Sequence, residues 1–166
     1  AIDFTLGWEV GRDKTGAIKA DGGYNMDDGS PTKWGIRQAA NPGIDIAALS
    51  KDAAVAIYRT KYYDSYSLDK YELGLCCAMF DTGVNCGPGR MKGWYSKVEK
   101  TKDPAKRLIE MRDAHYFNLV SMDRTKYGKF IKGWTARTAD LKKYIDIIRI
   151  ETAPRINHTD QDASSS

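Results

Sequence analysis

The residues best suited to chemistry in this chain lie between Glu9 and Ile36. Glu9 falls at the end of a predicted amphipathic helix, and a glycine-rich segment with several carboxylates follows it. Asp27 and Asp28 lie in that segment, shortly before Thr32. A carboxyl group held by a helix beside a second one in a turn is suited to cleavage of a glycosidic bond. We therefore expect a pair of carboxyl groups that act on a sugar.

Each of these candidates has a functional and a structural interpretation. Glu9 is the predicted general acid; the alternative is a solvated glutamate at a helix end. Asp27 or Asp28 is expected to orient a water molecule, although turns favour aspartate for structural reasons alone. The Thr32 hydroxyl can hold the same water, or it can cap the start of a helix. Tyr24 can stack on a sugar face, although most aromatic side chains pack in a core.

Composition limits the class of protein. The chain has 166 residues and a net charge of +4, and 42% of its residues are hydrophobic, as in an ordinary globular protein. We predict one domain over residues 1–150 and a flexible tail over residues 151–166. The charge is too small to indicate nucleic acid as a partner, and no apolar run is long enough for a stable membrane association. A monomer is expected.

The cysteines indicate thiols rather than a metal site. Cys76 and Cys77 are adjacent in an apolar stretch, and Cys86 is the third cysteine. An odd count of this kind is typical of buried free thiols in a reducing compartment. Neither His115 nor His158 has a ligand-like spacing from them, so we expect no metal and no cofactor.

Hydrophobic periodicity predicts a mainly α (α+β) fold, with one small β-hairpin near the N-terminus that lines a cleft. The hairpin is expected within residues 14–31, because that region is rich in Gly, Asp and Asn. Thr32 is expected to begin a helix that ends near Asn41, and Ser50 to cap another. Residues 72–86 are apolar on nearly every side, which is typical of a central buried helix. The remaining helices are expected at residues 2–13, 51–63, 88–98 and 104 onward, with a last helix or pair of helices over residues 126–150.

Three segments, in order along the chain, resemble glycoside hydrolase family 108, the phage-type N-acetylmuramidases. Residues 27–36, Asp-Asp-Gly-Ser-Pro-Thr-Lys-Trp-Gly-Ile, are similar to its Asp-x-Gly-Gly-x-Thr-x-x-Gly-Ile signature. Residues 80–87, Phe-Asp-Thr-Gly-Val-Asn-Cys-Gly, are similar to its Phe-Asp-x-x-Val-Asn-x-Gly segment. Arg112 with Tyr116, and Trp134 with Arg137, resemble its closing Arg-x-x-x-Tyr and Gly-Trp-x-x-Arg motifs.

The resemblance implies a lysozyme-like fold, bacterial peptidoglycan as the partner, and a catalytic set of Glu, Asp and Thr, here Glu9, Asp27 and Thr32. The family usually reads Glu-Gly-Gly-Tyr, whereas this chain has Asp21 before the two glycines and Tyr24. Either Glu9 is the acid and an insertion follows it, or Asp21 replaces the glutamate. We favour Glu9, because an aspartate is one methylene shorter and catalytic groups tolerate misplacement poorly.

The sequence therefore predicts a muramidase that cleaves the β-1,4 bond between N-acetylmuramic acid and N-acetylglucosamine. Asn85 is a candidate to bind a sugar acetamido group, or to cap its helix instead. A phage endolysin is expected, made in the host cytoplasm without a signal peptide and acting on the cell wall after holin-type release. The alternatives are a lytic transglycosylase and an inactive cell-wall-binding protein on a lysozyme scaffold.

Overall fold

The computed structural model describes residues 1–26 and 29–154. It is mainly helical with one two-stranded antiparallel sheet, which confirms the predicted fold class and is consistent with a lysozyme-like fold. The helices are α1 (Ile2–Val10), α2 (Lys51–Tyr58), α3 (Leu73–Cys86), α4 (Pro88–Val98), α5 (Pro104–Met122), α6 (Arg124–Tyr127) and α7 (Ile131–Thr152). Short 3-10 turns lie at Gln38–Ala40, Leu68–Lys70 and Gly128–Phe130. No helix of the described residues is long and apolar enough to span a membrane.

Helix α3 is the centre of the fold, as its apolar sequence predicts. Ten of its residues are buried, from Gly74 to Gly83, and it contacts α1, α4, α5 and α7. Glu72 caps its start by accepting a hydrogen bond from the Leu75 amide. Cys76 and Cys77 are free and buried within it, and burial raises the pKa of both thiols. The core therefore surrounds the helix whose last turn carries Asn85.

The predicted helix starts at Ser50 and Pro104 are confirmed. The Ser50 side chain accepts a hydrogen bond from the Ala53 amide and begins α2. Helix α2 continues as a π-helical segment, Arg59–Asp64. Such segments are rare and occur frequently at functional sites. Helix α2 and this segment form one continuous helical stretch. Side chains four residues apart therefore lie on the same side of it.

The hairpin exists, but its predicted position and the predicted helix at Thr32 are wrong. The strands are β1 (Thr32–Lys33) and β2 (Ile36–Arg37), so Thr32 lies in a strand and caps no helix. Between them, Trp34 and Gly35 have φ values of 56° and 73°. Two consecutive positive φ angles form the turn that matches the twist of a two-residue hairpin. The described residues of the 14–31 region contribute turns and isolated bridges instead.

The first helix is also shorter than predicted and ends at Val10 rather than near Asp13. Gly11 follows with φ of 90°, a left-handed conformation that favours glycine and stops the helix. Glu9 therefore lies in the last turn of α1. The predicted division into residues 1–150 and 151–166 stays a prediction, since residues 155–166 lie outside the described part of the chain.

Candidate active site

Glu9 lines a cavity of about 200 Å³ between α1, the hairpin and α2. Gly35 and Ile36 of the hairpin, Tyr58 at the end of α2 and Val84 of α3 also line this cavity. The Glu9 side chain is 24% exposed, so solvent or a ligand can reach it. Of the predicted site residues in the described part of the chain, Glu9 is the one that lines this cavity.

A single guanidinium group fixes the position of Glu9. Arg137 Nη1 of α7 donates to Glu9 Oε1 at 2.8 Å. The Nε and Nη2 atoms of Arg137 donate to the two carboxylate oxygens of Asp81, at 3.1 and 2.8 Å. Arg137 therefore pairs with both Glu9 and Asp81. Arg137 of α7 therefore links α1 and α3 through hydrogen bonds beside the cavity.

Asp81 is the buried centre of this ion-pair network. Its carboxylate also accepts hydrogen bonds from Thr5 Oγ1 at 2.8 Å and from Arg112 Nη1 at 2.7 Å. Burial acts to raise the pKa of Asp81, but the charges of Arg137 and Arg112 outweigh it and lower the pKa to about 2. Its side chain is 1% exposed, so Asp81 cannot touch a substrate and can act only by positioning other residues.

Asn85 joins the same network from the end of α3. Arg112 Nε donates to Tyr116 Oη at 2.6 Å, and the Tyr116 hydroxyl donates to Asn85 Oδ1. Asn85 does not cap α3, because the C-cap is Gly87. The predicted alternative of a helix cap is therefore wrong, and the Asn85 side-chain oxygen instead accepts the hydrogen bond from Tyr116.

Hydrogen bonds from Tyr58 and Trp34, together with tight packing at Gly35, hold the hairpin against Glu9. Tyr58 Oη donates to the Trp34 carbonyl at 2.8 Å, and Trp34 Nε1 donates to the Leu49 carbonyl at 2.9 Å. Burial, with a smaller contribution from the Glu9 charge, raises the pKa of the Tyr58 hydroxyl. A Cβ atom on Gly35 would lie 2.5 Å from Tyr58 Oη and 3.1 Å from Glu9 Cβ. Only glycine fits at this position.

Two other predicted site residues, Thr32 and Tyr24, are not part of the lining of this cavity. Thr32 pairs through its backbone with Asn25, and its Oγ1 atom is buried with no hydrogen-bond partner among the described residues. Tyr24 is exposed, and its hydroxyl lies 3.5 Å from the Met26 sulfur. Asp27 lies outside the described residues, as does Asp28.

Asp21, the alternative acid, is exposed and accepts a hydrogen bond from the Gly23 amide at 2.9 Å. This is a local turn contact, and Asp21 does not line the cavity that Glu9 lines. Two tryptophans of the motif segments, Trp34 and Trp134, also differ in position. Trp34 is buried and belongs to the core, whereas Trp134 stacks on Tyr116 with ring centroids 4.7 Å apart.

Sequence reasoning missed Tyr58, which anchors the hairpin beside Glu9. The signal was present in the repeated tyrosines at residues 58, 62 and 66, which share one side of a helical segment. Within residues 1–26 and 29–154, no group of three or more His, Cys, Asp or Glu side chains is arranged to hold a metal ion.

Residues 15–87 match the family model described as Glycosyl hydrolase 108. The match confirms the resemblance found in the motifs, is consistent with membership of that family, and supports glycoside hydrolase activity. It spans less than half of the chain, includes Tyr24, Thr32 and Asn85, and begins after Glu9. No curated protein and no solved structure matches the chain significantly.

Proposed function

Taking membership of glycosyl hydrolase family 108 as the premise, we propose that this protein is a peptidoglycan hydrolase with N-acetylmuramidase, or lysozyme, activity. It cleaves the β-1,4 bond between N-acetylmuramic acid and N-acetylglucosamine. The observation that carries the proposal is the position of Glu9: it ends α1, lines a cavity of about 200 Å³, and is held at 2.8 Å by Arg137. Proton delivery to a glycosidic oxygen requires a carboxyl group that the substrate can reach in a fixed orientation, and Glu9 meets this geometric condition.

In the proposed reaction, Glu9 protonates the leaving oxygen while a water molecule attacks the anomeric carbon. Asp27 and Thr32 hold that water, and the Asp27 carboxylate accepts the proton that the water loses as it attacks. Support for the Thr32 role comes from the resemblance of residues 27–36 to the family signature and from its place in β1, the strand that leads into the turn whose Gly35 lies against Glu9. Attack by a separately held water inverts the anomeric centre, and such enzymes keep their two carboxyl groups roughly 6.5–9.5 Å apart.

Asn85 and Tyr24 are the proposed sugar-binding residues. Asn85 follows Val84, which lines the cavity, and its side-chain oxygen accepts a hydrogen bond from Tyr116. The motif resemblance supports a role for its amide in binding an acetamido group. Tyr24 is exposed and offers an aromatic face to a sugar ring. Neither residue takes part in proton transfer, so substitution of either is expected to raise KM more than it lowers kcat.

The proposed biological role is that of a phage endolysin, with the bacterial cell wall as its place of action after holin-type release. The motif resemblance to phage-type muramidases supports this role. Lysis of bacteria whose outer membrane has been permeabilised, with intact cells as the comparison, tests it. Loss of turbidity in the permeabilised cells is expected, and its absence on several wall types would contradict a lytic role.

The chemical proposal is tested on purified peptidoglycan by mass spectrometry of the released fragments. We expect fragments with a reducing N-acetylmuramic acid end, formed with uptake of one water. The variant Glu9→Gln should release none, while Glu99→Gln, an exposed glutamate at the end of α4, should match the wild-type protein. Anhydro-sugar ends would instead identify a lytic transglycosylase, and no release by the wild-type protein would identify an inactive binding protein.

A further inference from the structure

Three tyrosines form a row that leads away from Glu9 along α2 and the π-helical segment. The rings of Tyr58 and Tyr62 have centroids 5.9 Å apart and are stacked at 28°. The rings of Tyr62 and Tyr66 are 6.2 Å apart and meet edge to face at 73°. Tyr58 and Tyr62 line the cavity that contains Glu9. The row therefore begins beside the proposed acid and continues outward as a partly exposed aromatic wall.

Two lysines accompany the outer part of this row. Lys61 Nζ lies over the Tyr62 ring, 5.5 Å from its centroid, and Lys61 also lines the cavity. Lys92 of α4 lies over the Tyr66 ring at 5.1 Å. Both lysines are exposed, and a cation over an exposed ring is held by only about 0.5–1 kcal/mol. Either ammonium group can therefore turn toward an anionic ligand at small cost.

Aromatic rings and ammonium groups together select a particular kind of glycan. The apolar face of a sugar ring packs on an aromatic side chain, whatever the charge of the sugar. An ammonium group beside that ring favours a sugar that carries a carboxylate. In peptidoglycan, the stem peptide that is attached through the lactyl group of N-acetylmuramic acid carries free carboxylates, whereas chitin has none.

We propose that Tyr62, Tyr66, Lys61 and Lys92 form a subsite that binds the N-acetylmuramic acid unit and the carboxylates of its stem peptide. The inference rests on the proposed function and adds the residues that determine specificity. The lysines bind the carboxylates while the tyrosines contact the sugar face, so the cleft prefers acidic peptidoglycan strands over neutral glycans of the same backbone.

The test compares two ligands on the full-length protein. One is a disaccharide-peptide oligomer from peptidoglycan, and the other is the same oligomer with its carboxylates amidated. Isothermal titration calorimetry gives Kd for both ligands, with Glu9→Gln as the background so that turnover does not interfere. In that background, Lys61→Met and Lys92→Met are made singly and together. Lys97→Met is the matched control, because Lys97 is an exposed lysine on α4 that lies about 140° around the helix from Lys92.

The background protein is expected to bind the acidic oligomer more tightly than the amidated one. Each lysine substitution should reduce this preference by about three- to fivefold, the size of one exposed ion pair, and the double substitution should nearly abolish it. Lys97→Met should preserve it. An unchanged preference in the double variant, an equal loss in Lys97→Met, or no binding of either ligand would overturn the subsite.

Turnover of peptidoglycan by the wild-type protein, measured in parallel, separates this proposal from the function on which it rests. A lysine-dependent preference without turnover would reject the muramidase and leave the subsite as that of a binding protein. Turnover without lysine dependence would reject the subsite alone.

Discussion

Gly35→Ala tests whether the hairpin must approach Glu9 as closely as the structure has it. Gly35 has φ of 73°, where a Cβ atom costs about 1 kcal/mol or somewhat more. The new Cβ would also lie 2.5 Å from Tyr58 Oη. Tyr58 must then move and give up its hydrogen bond to the Trp34 carbonyl, which contributes about 1 kcal/mol more. We expect the free energy of unfolding to fall by roughly 2–3 kcal/mol in total.

The matched control is Gly16→Ala. Gly16 also has a positive φ, 84°, but nothing lies within 4 Å of the Cβ position there. This substitution therefore measures the backbone cost alone, about 1 kcal/mol. Urea unfolding followed by circular dichroism gives both values.

Turnover provides a second comparison between the two variants. The Cβ of Gly35→Ala would lie 3.1 Å from Glu9 Cβ, so Glu9 must shift by a few tenths of an ångström. We expect a lower turnover, because even a displacement of the order of 1 Å at a catalytic group can cost about a hundredfold in rate. Gly16→Ala should keep wild-type turnover. The close packing of Gly35 against Tyr58 and Glu9 would be refuted by an equal fall in the free energy of unfolding in the two variants, or by full activity in Gly35→Ala.

Two further predictions concern acid stability and thiol reactivity. Asp81 has its pKa lowered from 3.8 to about 2, so the stability it contributes is present above about pH 4 and is lost as the pH falls toward 2. Between about pH 4 and pH 2, the free energy of unfolding of the wild-type protein should fall by about 2 kcal/mol more than that of Asp81→Asn, as measured by urea unfolding. Equal losses in the two proteins would contradict the ion-pair network. Burial raises the thiol pKa of Cys76 and Cys77, whereas Cys86 is half-buried. A thiol reagent should therefore modify Cys86 first in the native protein, and simultaneous modification of all three cysteines would contradict the packing of α3.

The helical part of the fold was predictable because its signals are local. The apolar stretch at residues 72–86 can be satisfied only by burial, and it forms α3. The Ser50 cap likewise acts within one turn of α2. Such features depend on neighbours in sequence, so periodicity and capping preferences suffice to find them.

The hairpin was not predictable in the same way, because Trp34 adopts a positive φ that its own preference opposes. Contacts from distant residues hold it there, with Tyr58 bonded to its carbonyl and Leu49 accepting from its indole. Such tertiary contacts cannot be read from a local pattern. The assignment of Thr32 to a helix failed for this reason.

The candidate site was predicted in part. Pattern and resemblance singled out Glu9, Thr32 and Asn85, and the resemblance also marked Arg137. The link from Arg112 through Tyr116 to Asn85 was missed, since it joins residues about thirty positions apart and a single sequence gives no distances. Tyr58 was missed because its role depends on where the hairpin folds back.

The central claim is that Glu9, held by Arg137 at the cavity, is the general acid. The most direct test is the initial rate of peptidoglycan hydrolysis by the wild-type protein, Glu9→Gln and Asp21→Asn, each checked for native folding by circular dichroism. A rate at least about a hundredfold lower in Glu9→Gln, with Asp21→Asn close to the wild-type rate, is the predicted result. Loss of activity in Asp21→Asn with Glu9→Gln still active would contradict the assignment and identify Asp21 as the acid.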